Sequence, residues 1–317
     1  MESNPFSPTK KTFFEGQNRF VQILILLALI VGGMIICSVL GVIVASIFYG
    51  IGIPTNTVDQ AAYYRIVQAF GSVGTFLLPP LFFSYFAERN CFSYNKINKA
   101  PGYSRCNIVI VMALVIVPIV WALAEWNEGW KLPESLAGLD EWMRRMDEQN
   151  SELVKLMTRD SRIGILLINI FVMAVLPAVG EELMFRGTVQ PFLQKWTKSP
   201  HWAIWITAFI FSAIHFQISG FVPRMLIGAY LGYLCYWSGS LWLPILAHFM
   251  HNSMSIISDF VLLRRGIDMD NMNFTDIHGW QYILGVAIIL AFCGIYWLYK
   301  SRRKDNSEFE IQNSSLD

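Results

Sequence analysis

The sequence predicts an all-α integral membrane protein, a bundle of about eight transmembrane helices around a polar cavity. Of 317 residues, 54% are hydrophobic and only 15% are charged, where soluble domains carry about 25% charged residues. The mean hydropathy is +0.44. Apolar stretches approaching the roughly 20 residues that a helix needs to cross a bilayer core recur along the whole chain. A net charge of +1 provides no basic footprint for neutralising phosphates, so nucleic acid is not expected as a partner. The cysteines (Cys37, Cys91, Cys106, Cys235, Cys293) have no C-x-x-C pair and no metal-type spacing, and read as small apolar residues.

After an N-terminal segment, residues 1–19, the first apolar stretch runs from Phe20 to about Tyr49. It is too long for the apolar part of a signal peptide and leads into no small-residue cleavage site, so it is expected to stay in the protein as a membrane helix. Further spans are expected at Tyr64–Phe86 and Asn107–Ala124, closing an N-terminal membrane region of residues 20–162. That region ends in a polar connector, residues 125–162. The connector mixes charges (Asp140, Glu141, Arg144, Arg145, Asp147, Glu148) with apolar Trp142, Met143, Met146, Leu153 and Leu156, the pattern of an amphipathic helix lying on the membrane surface as a lid or a solvated link.

Residues 163–261 carry four more expected spans, Ile163–Val179, Trp202–Phe216, Phe221–Trp237 and Leu241–Val261. A last loop and helix fill 262–299, with Tyr282–Tyr299 apolar, and 300–317 form a tail whose polar composition after Lys304 predicts an unstructured end. Eight crossings put both termini on one side. Lys10, Lys11 and Arg19, then Arg89, Lys96, Lys99 and Arg105, then Lys300, Arg302, Arg303 and Lys304 all fall on that side, whereas Arg264 and Arg265 fall on the other. Cations in short flanking segments are retained in the cytoplasm, so both termini are expected there, in a multi-pass protein of a bacterial inner (plasma) membrane.

The informative residues are the ionisable ones inside apolar stretches, where each costs on the order of 2.5–3.5 kcal/mol on insertion scales and marks a functional position by default. In Gly180-Glu181-Glu182-Leu183-Met184-Phe185-Arg186, Glu182 and Arg186 are helical i,i+4 neighbours able to pair, and Glu181 is turned about 100° away. Pro177 and Gly180 suggest a break here, and a solvated helix end is the bland alternative. In Phe211-Ser212-Ala213-Ile214-His215 a single imidazole ends an apolar run. In Pro244-Ile245-Leu246-Ala247-His248, followed by His251 and Asn252, the side chains of His248 and Asn252 share a face. Pro244 is expected to kink its helix one turn before His248 and to open a cavity there. Gly228-x-x-x-Gly232 offers a small-residue surface for close helix approach.

A carboxylate, two imidazoles and a carboxamide can hydrolyse an amide bond without a serine or cysteine nucleophile. Glu181 would act as general base on a water oriented with His215. His248 and Asn252 would donate hydrogen bonds to the oxyanion, and Arg186 would hold Glu182. The same groups could bind a divalent metal, with Glu181, His215 and His248 as a two-histidine, one-carboxylate zinc set, although the H-E-x-x-H spacing is absent.

Glu181-Glu182-x-x-x-Arg186, Phe211-x-x-x-His215 and His248-x-x-x-Asn252, in that order and with Gly239-Ser240-Leu241-Trp242-Leu243-Pro244 leading into the third, resemble the three motifs of the CPBP intramembrane protease family. This family is also called Abi and is related to type II CAAX prenyl endopeptidases. The resemblance spans roughly Ile163–Ser258. It implies a bundle of eight or so helices with a conical cavity open to the cytoplasmic side and to lipid. It implies Glu181 and His215 as water-activating residues, His248 and Asn252 as the oxyanion site, and Glu182 and Arg186 as supports. No obligatory cofactor is expected, with Zn2+ or another divalent metal as the alternative. The expected partners are the lipid bilayer and a membrane-associated peptide or protein substrate, prenylated CAAX proteins being those of the eukaryotic branch. The competing expectation is a non-catalytic scaffold or bacteriocin-immunity factor that uses the same cavity.

Overall fold

A computed structural model describes residues 13–88, 94–267 and 273–314, with only the backbone at Glu88 and over 302–314. Lys10, Lys11 and Arg89 lie outside these residues, as do the side chains of Arg302, Arg303 and Lys304. The chain is an all-helical, multi-pass membrane protein with no strand among the described residues.

Helix α1 (Arg19–Tyr49) begins at Asn18, whose side chain accepts a hydrogen bond from the Phe20 amide. Its outer face exposes Leu24, Leu27, Val31, Ile35 and Val39, an apolar stripe that lipid covers. Helices α2 (Thr57–Ser72) and α3 (Leu78–Glu88) form one rod through a π-helical turn at Val73–Leu77. Helices α4 (Tyr103–Val115) and α5 (Val117–Glu128) meet at a 42° bend, where Pro118 in the first turn of α5 needs no amide hydrogen bond.

The amphipathic connector is helix α6 (Ala137–Thr158), tied down along its length. Asp140 accepts from the Leu132 amide and pairs with Arg144. Asp147 accepts from Gln217 and Ser219. At the far end the carbonyl of Met157 takes hydrogen bonds from Arg65 and Asn169. Helix α6 is therefore fastened to its neighbours rather than a free link.

The next rod runs from Ile163 to Thr197 as α7 (Ile163–Ile170), α8 (Leu176–Glu182) and α9 (Gln190–Thr197), joined by π-helical turns at Phe171–Val175 and Leu183–Val189. The break expected at Pro177 and Gly180 does not occur. Pro177 sits in the first turn of α8, and the preceding π turn absorbs the missing amide donor. Helices α10 (Pro200–Ala213), α11 (Phe221–Ser238) and α12 (Trp242–Arg265) follow. Pro244 is the third residue of α12, where its missing N–H has no intrahelical partner anyway, so it starts the helix instead of kinking it.

Four helical rods are long and apolar enough to cross a membrane, at Arg19–Tyr49, Thr57–Ala87, Ile163–Thr197 and Trp280–Ser301, or five if the bent α4–α5 pair is one span. The expected eight are thus not all visible as such. Helix α10 has 14 residues, about 21 Å at 1.5 Å per residue, and α11 and α12 carry the polar groups of the interior. The final helix, α13 (Trp280–Ser314), continues through the tail expected to be unstructured, whose Lys, Arg and Glu are good helix formers.

The two ends of the bundle are distinguishable. At one end the Lys96 carbonyl accepts from the Leu241 amide, Lys99 from Ser240, and Ser301 from Arg105. At the other, Glu125 accepts from Thr275, and α6 meets the loop 216–220.

Candidate active site

The Glu181–Glu182 pair lies in the middle of the Ile163–Thr197 rod and is buried, at 9% and 0% exposure. That removes the solvated-end reading. Arg186 falls within the π turn Leu183–Val189, a wider coil of the kind that recurs at functional sites. Its Nη1 donates to Glu182 Oε1 at 2.6 Å and its Nη2 to the Gly228 carbonyl at 2.7 Å. One turn further, Gln190 Nε2 donates to the Gly232 carbonyl at 3.2 Å. The two glycines let α11 come this close: a Cβ on Gly228 would stand 3.2 Å from Ala208 Cα, and one on Gly232 would stand 2.9 Å from Gln190 Oε1.

Glu182 Oε1 also accepts from His248 Nδ1 at 2.8 Å. That bond fixes a proton on Nδ1 and aims Nε2 at Glu181, whose Oε2 is 3.9 Å away. His248 is 5% exposed. The Phe211 ring is packed edge to face with the imidazoles of both His215 and His248, and Arg186 stacks over it with its guanidinium carbon 4.9 Å from the ring centre. His215 donates from Nδ1 to the Phe211 carbonyl at 2.8 Å. Because a carbonyl only accepts, the lone pair of His215 is on Nε2.

Glu181, His215, His248 and Asn252 come from α8, the end of α10 and α12, and all line one cavity of about 280 Å³. His251 lines it too, as do Phe211 and, from α5, Val120 and Ala124. Glu182 and Arg186 are behind it. The cavity also contains a residue that sequence reasoning passed over, Arg224 on the first turn of α11. The signal was there, since Arg224 is an arginine inside the apolar stretch Phe221–Trp237, the same criterion that selected Glu181.

Among the described residues no group of three or more His, Cys, Asp or Glu is arranged to hold a metal ion, and the His248 Nδ1 bond to Glu182 leaves Nε2 toward the cavity.

The cavity lies toward the α6 end, since Ala124, His215, Gly220 and Arg224 line it and the Lys96–Lys99 and Ser301 contacts are at the opposite end. Two expectations thus conflict: termini in the cytoplasm on the evidence of the cations, and a cavity open to the cytoplasm on the evidence of family resemblance. The reason is connectivity, because His215 ends a helix that starts at the cationic end.

Residues 163–254 match the family model described as type II CAAX prenyl endopeptidase Rce1-like. The match covers the segment with the three motifs. The chain is similar to the uncharacterized protein YpbD of Bacillus subtilis (strain 168), at 31% identity over 86 residues, 26% of this chain and 41% of that protein. It therefore spans about two fifths of the length of this relative. No solved structure matches the chain.

Proposed function

We propose that this chain is an intramembrane endopeptidase that hydrolyses peptide bonds of membrane-associated proteins or peptides, including lipidated ones of the prenylated CAAX type. The observation that carries it is the shared cavity of Glu181, His215, His248 and Asn252, with His248 held from behind by the Glu182–Arg186 pair.

In this reading a water lies between the Glu181 carboxylate and the Nε2 lone pair of His215. Glu181 takes a proton from it as the oxygen attacks the scissile carbonyl carbon. The oxyanion accepts from the Asn252 amide and from Nε2 of His248, protonated on both nitrogens. As the C–N bond breaks, the leaving amine takes the proton back from Glu181. Glu182 restrains His248 much as a buried aspartate orients the imidazole of a serine-protease triad. No metal takes part.

The test is cleavage of a membrane-embedded or S-farnesylated peptide by the purified chain in proteoliposomes. Glu181→Ala abolishes turnover without lowering the unfolding temperature, and chelators leave the wild-type rate unchanged. Undiminished cleavage by Glu181→Ala overturns the peptidase reading. Activity lost to a chelator and restored by Zn2+ overturns only the metal-free mechanism.

A further inference from the structure

At the cationic end of the bundle a second cavity, of about 300 Å³, is lined by residues from the start of α1, the second half of α3 and the length of α9. Part of its wall is aromatic and well packed, with Phe14, Phe83 and Phe192 at 8%, 1% and 9% exposure. The rings of Phe14 and Phe83 have their centres 4.8 Å apart, and the Gln17 amide donates to the Phe14 carbonyl at 3.1 Å. The turn that precedes α1 is thereby seated on α3, and this side of the cavity is held by packing of its own.

Two cations line the space, Arg19 at the first residue of α1 and Lys195 in the last turn of α9. Both are exposed, and neither has an ion-pair partner among the described residues. Lys195 stands over the Tyr94 ring, with Nζ 5.6 Å from the ring centre, which keeps the ammonium at the cavity wall. One carboxylate, Glu15, also lines the cavity. Two cations against one carboxylate leave a surplus of one positive charge. The helix start adds little to it, because the Phe20 amide is already taken by Asn18.

Depth in the membrane says which anion. Arg19 opens the rod Arg19–Tyr49, and Lys195 lies in the last turn of the rod Ile163–Thr197. Their sequence neighbours Phe20 and Trp196 are 63% and 55% exposed, as aromatic side chains are at the level of lipid headgroups. An anionic phospholipid is concentrated at that level, where each nearby Lys or Arg attracts it by about 1 kcal/mol. Its phosphodiester accepts from both cations, and its single net charge cancels the surplus. A glycerol headgroup also has hydroxyl donors. They meet acceptors in Glu15 and in Gln22 Oε1, whose amide nitrogen donates to the Gln17 carbonyl at 3.3 Å. A choline headgroup has neither the net charge nor the donors.

We propose that Arg19 and Lys195 form a binding site for the phosphate of an anionic phospholipid headgroup of the phosphatidylglycerol type, which ties the start of α1 to the end of α9. The site is independent of the peptidase reading, since none of its residues lines the cavity of Glu181.

The test is binding of phosphatidylglycerol with a fluorescent acyl chain to the purified full chain in neutral detergent, beside phosphatidylcholine and phosphatidylethanolamine of the same acyl composition. Phosphatidylglycerol is expected to bind at one site per chain and at least about tenfold more tightly than the other two, the size of a hydrogen bond to a charged group. Arg19→Gln and Lys195→Gln each remove most of that preference, and Arg19→Lys keeps part of it. Lys99→Gln, which removes a cation of the same end outside the cavity, leaves the preference unchanged. An equal loss in Lys99→Gln would reveal general surface attraction and overturn the site, as would equal binding of phosphatidylglycerol and phosphatidylcholine. Phosphatidylethanolamine bound as tightly as phosphatidylglycerol would overturn the anionic assignment in favour of a zwitterion paired with Glu15. Displacement by millimolar inorganic phosphate or glycerol phosphate would overturn the lipid in favour of a soluble ligand. Should Arg19→Gln fold poorly, Lys195→Gln decides.

Discussion

Glu182 and His248 are 66 residues apart in sequence and share one hydrogen bond of 2.8 Å, on the same carboxylate oxygen that Arg186 reaches at 2.6 Å. The imidazole next to Glu181 is thus positioned by a buried ion pair, not by its own helix alone. Removing one member of such a pair leaves the other charge uncompensated, at about 3–5 kcal/mol. Glu182→Ala is expected to lower the unfolding temperature in detergent markedly, and Glu182→Ala with Arg186→Met less than the sum of the two single changes. Additive effects in that double-mutant cycle would mean the pair is not coupled.

Asn252 shares the cavity with His248 and has no part in the buried pair, so its loss should register in chemistry and not in stability. Asn252→Ala is expected to lower kcat by about 10²–10³, the usual effect of deleting one oxyanion donor, with KM and the unfolding temperature close to wild type. A change confined to KM would assign Asn252 to substrate binding.

The start of α6 should respond to acid. The hydrogen bond from Arg144, then that from the Leu132 amide, holds the Asp140 carboxyl below the usual carboxylate range. A depressed value in the folded state contributes stability that is present above the unfolded pKa of about 3.9 and is lost as pH falls through the lower folded value. Amide exchange over residues 131–144, corrected for intrinsic rates, should stay slow at neutral pH and accelerate below about pH 4. Asp140→Asn should exchange fast already at neutral pH. Identical protection in the two proteins would show that Asp140 does not fasten the helix.

Sidedness is testable because the cavity and the Lys96–Lys99 segment are at opposite ends. With the cationic end in the cytoplasm, α6 and the cavity mouth belong to the outer half of the bilayer. In a chain with its cysteines replaced, Glu141→Cys, at a position 71% exposed, should react with a membrane-impermeant maleimide in intact cells, and Lys99→Cys only after lysis. The reverse pattern would put the cavity on the cytoplasmic side and the termini outside.

Much of the site was legible because bilayer-forming sequence is so uniformly apolar that Glu181, Glu182, Arg186, His215 and His248 stand out against it. The i,i+4 geometry of a helix was enough to foresee the Glu182–Arg186 pair and the shared face of His248 and Asn252. Prolines misled twice. Pro177 and Pro244 read as helix breaks, but whether a proline interrupts a helix depends on its position in the first turn and on π turns nearby, which no local pattern encodes. Arg224 met the criterion that exposed Glu181 and was passed over, because a lone arginine near the start of an apolar stretch looks like an interfacial anchor until its neighbours are known.

The sequence by itself determined the solvent of this protein and its reactive residue types, since hydrophobic length and the cost of buried charge are properties of the chain alone. Only the tertiary structure decided which of those residues face one another. Contacts such as His248 to Glu182, Arg186 to Gly228 and Gln217 to Asp147 join segments far apart in sequence, and the close approach of α11 permitted by Gly228 and Gly232 is one of the packings that bring scattered polar residues to a single cavity.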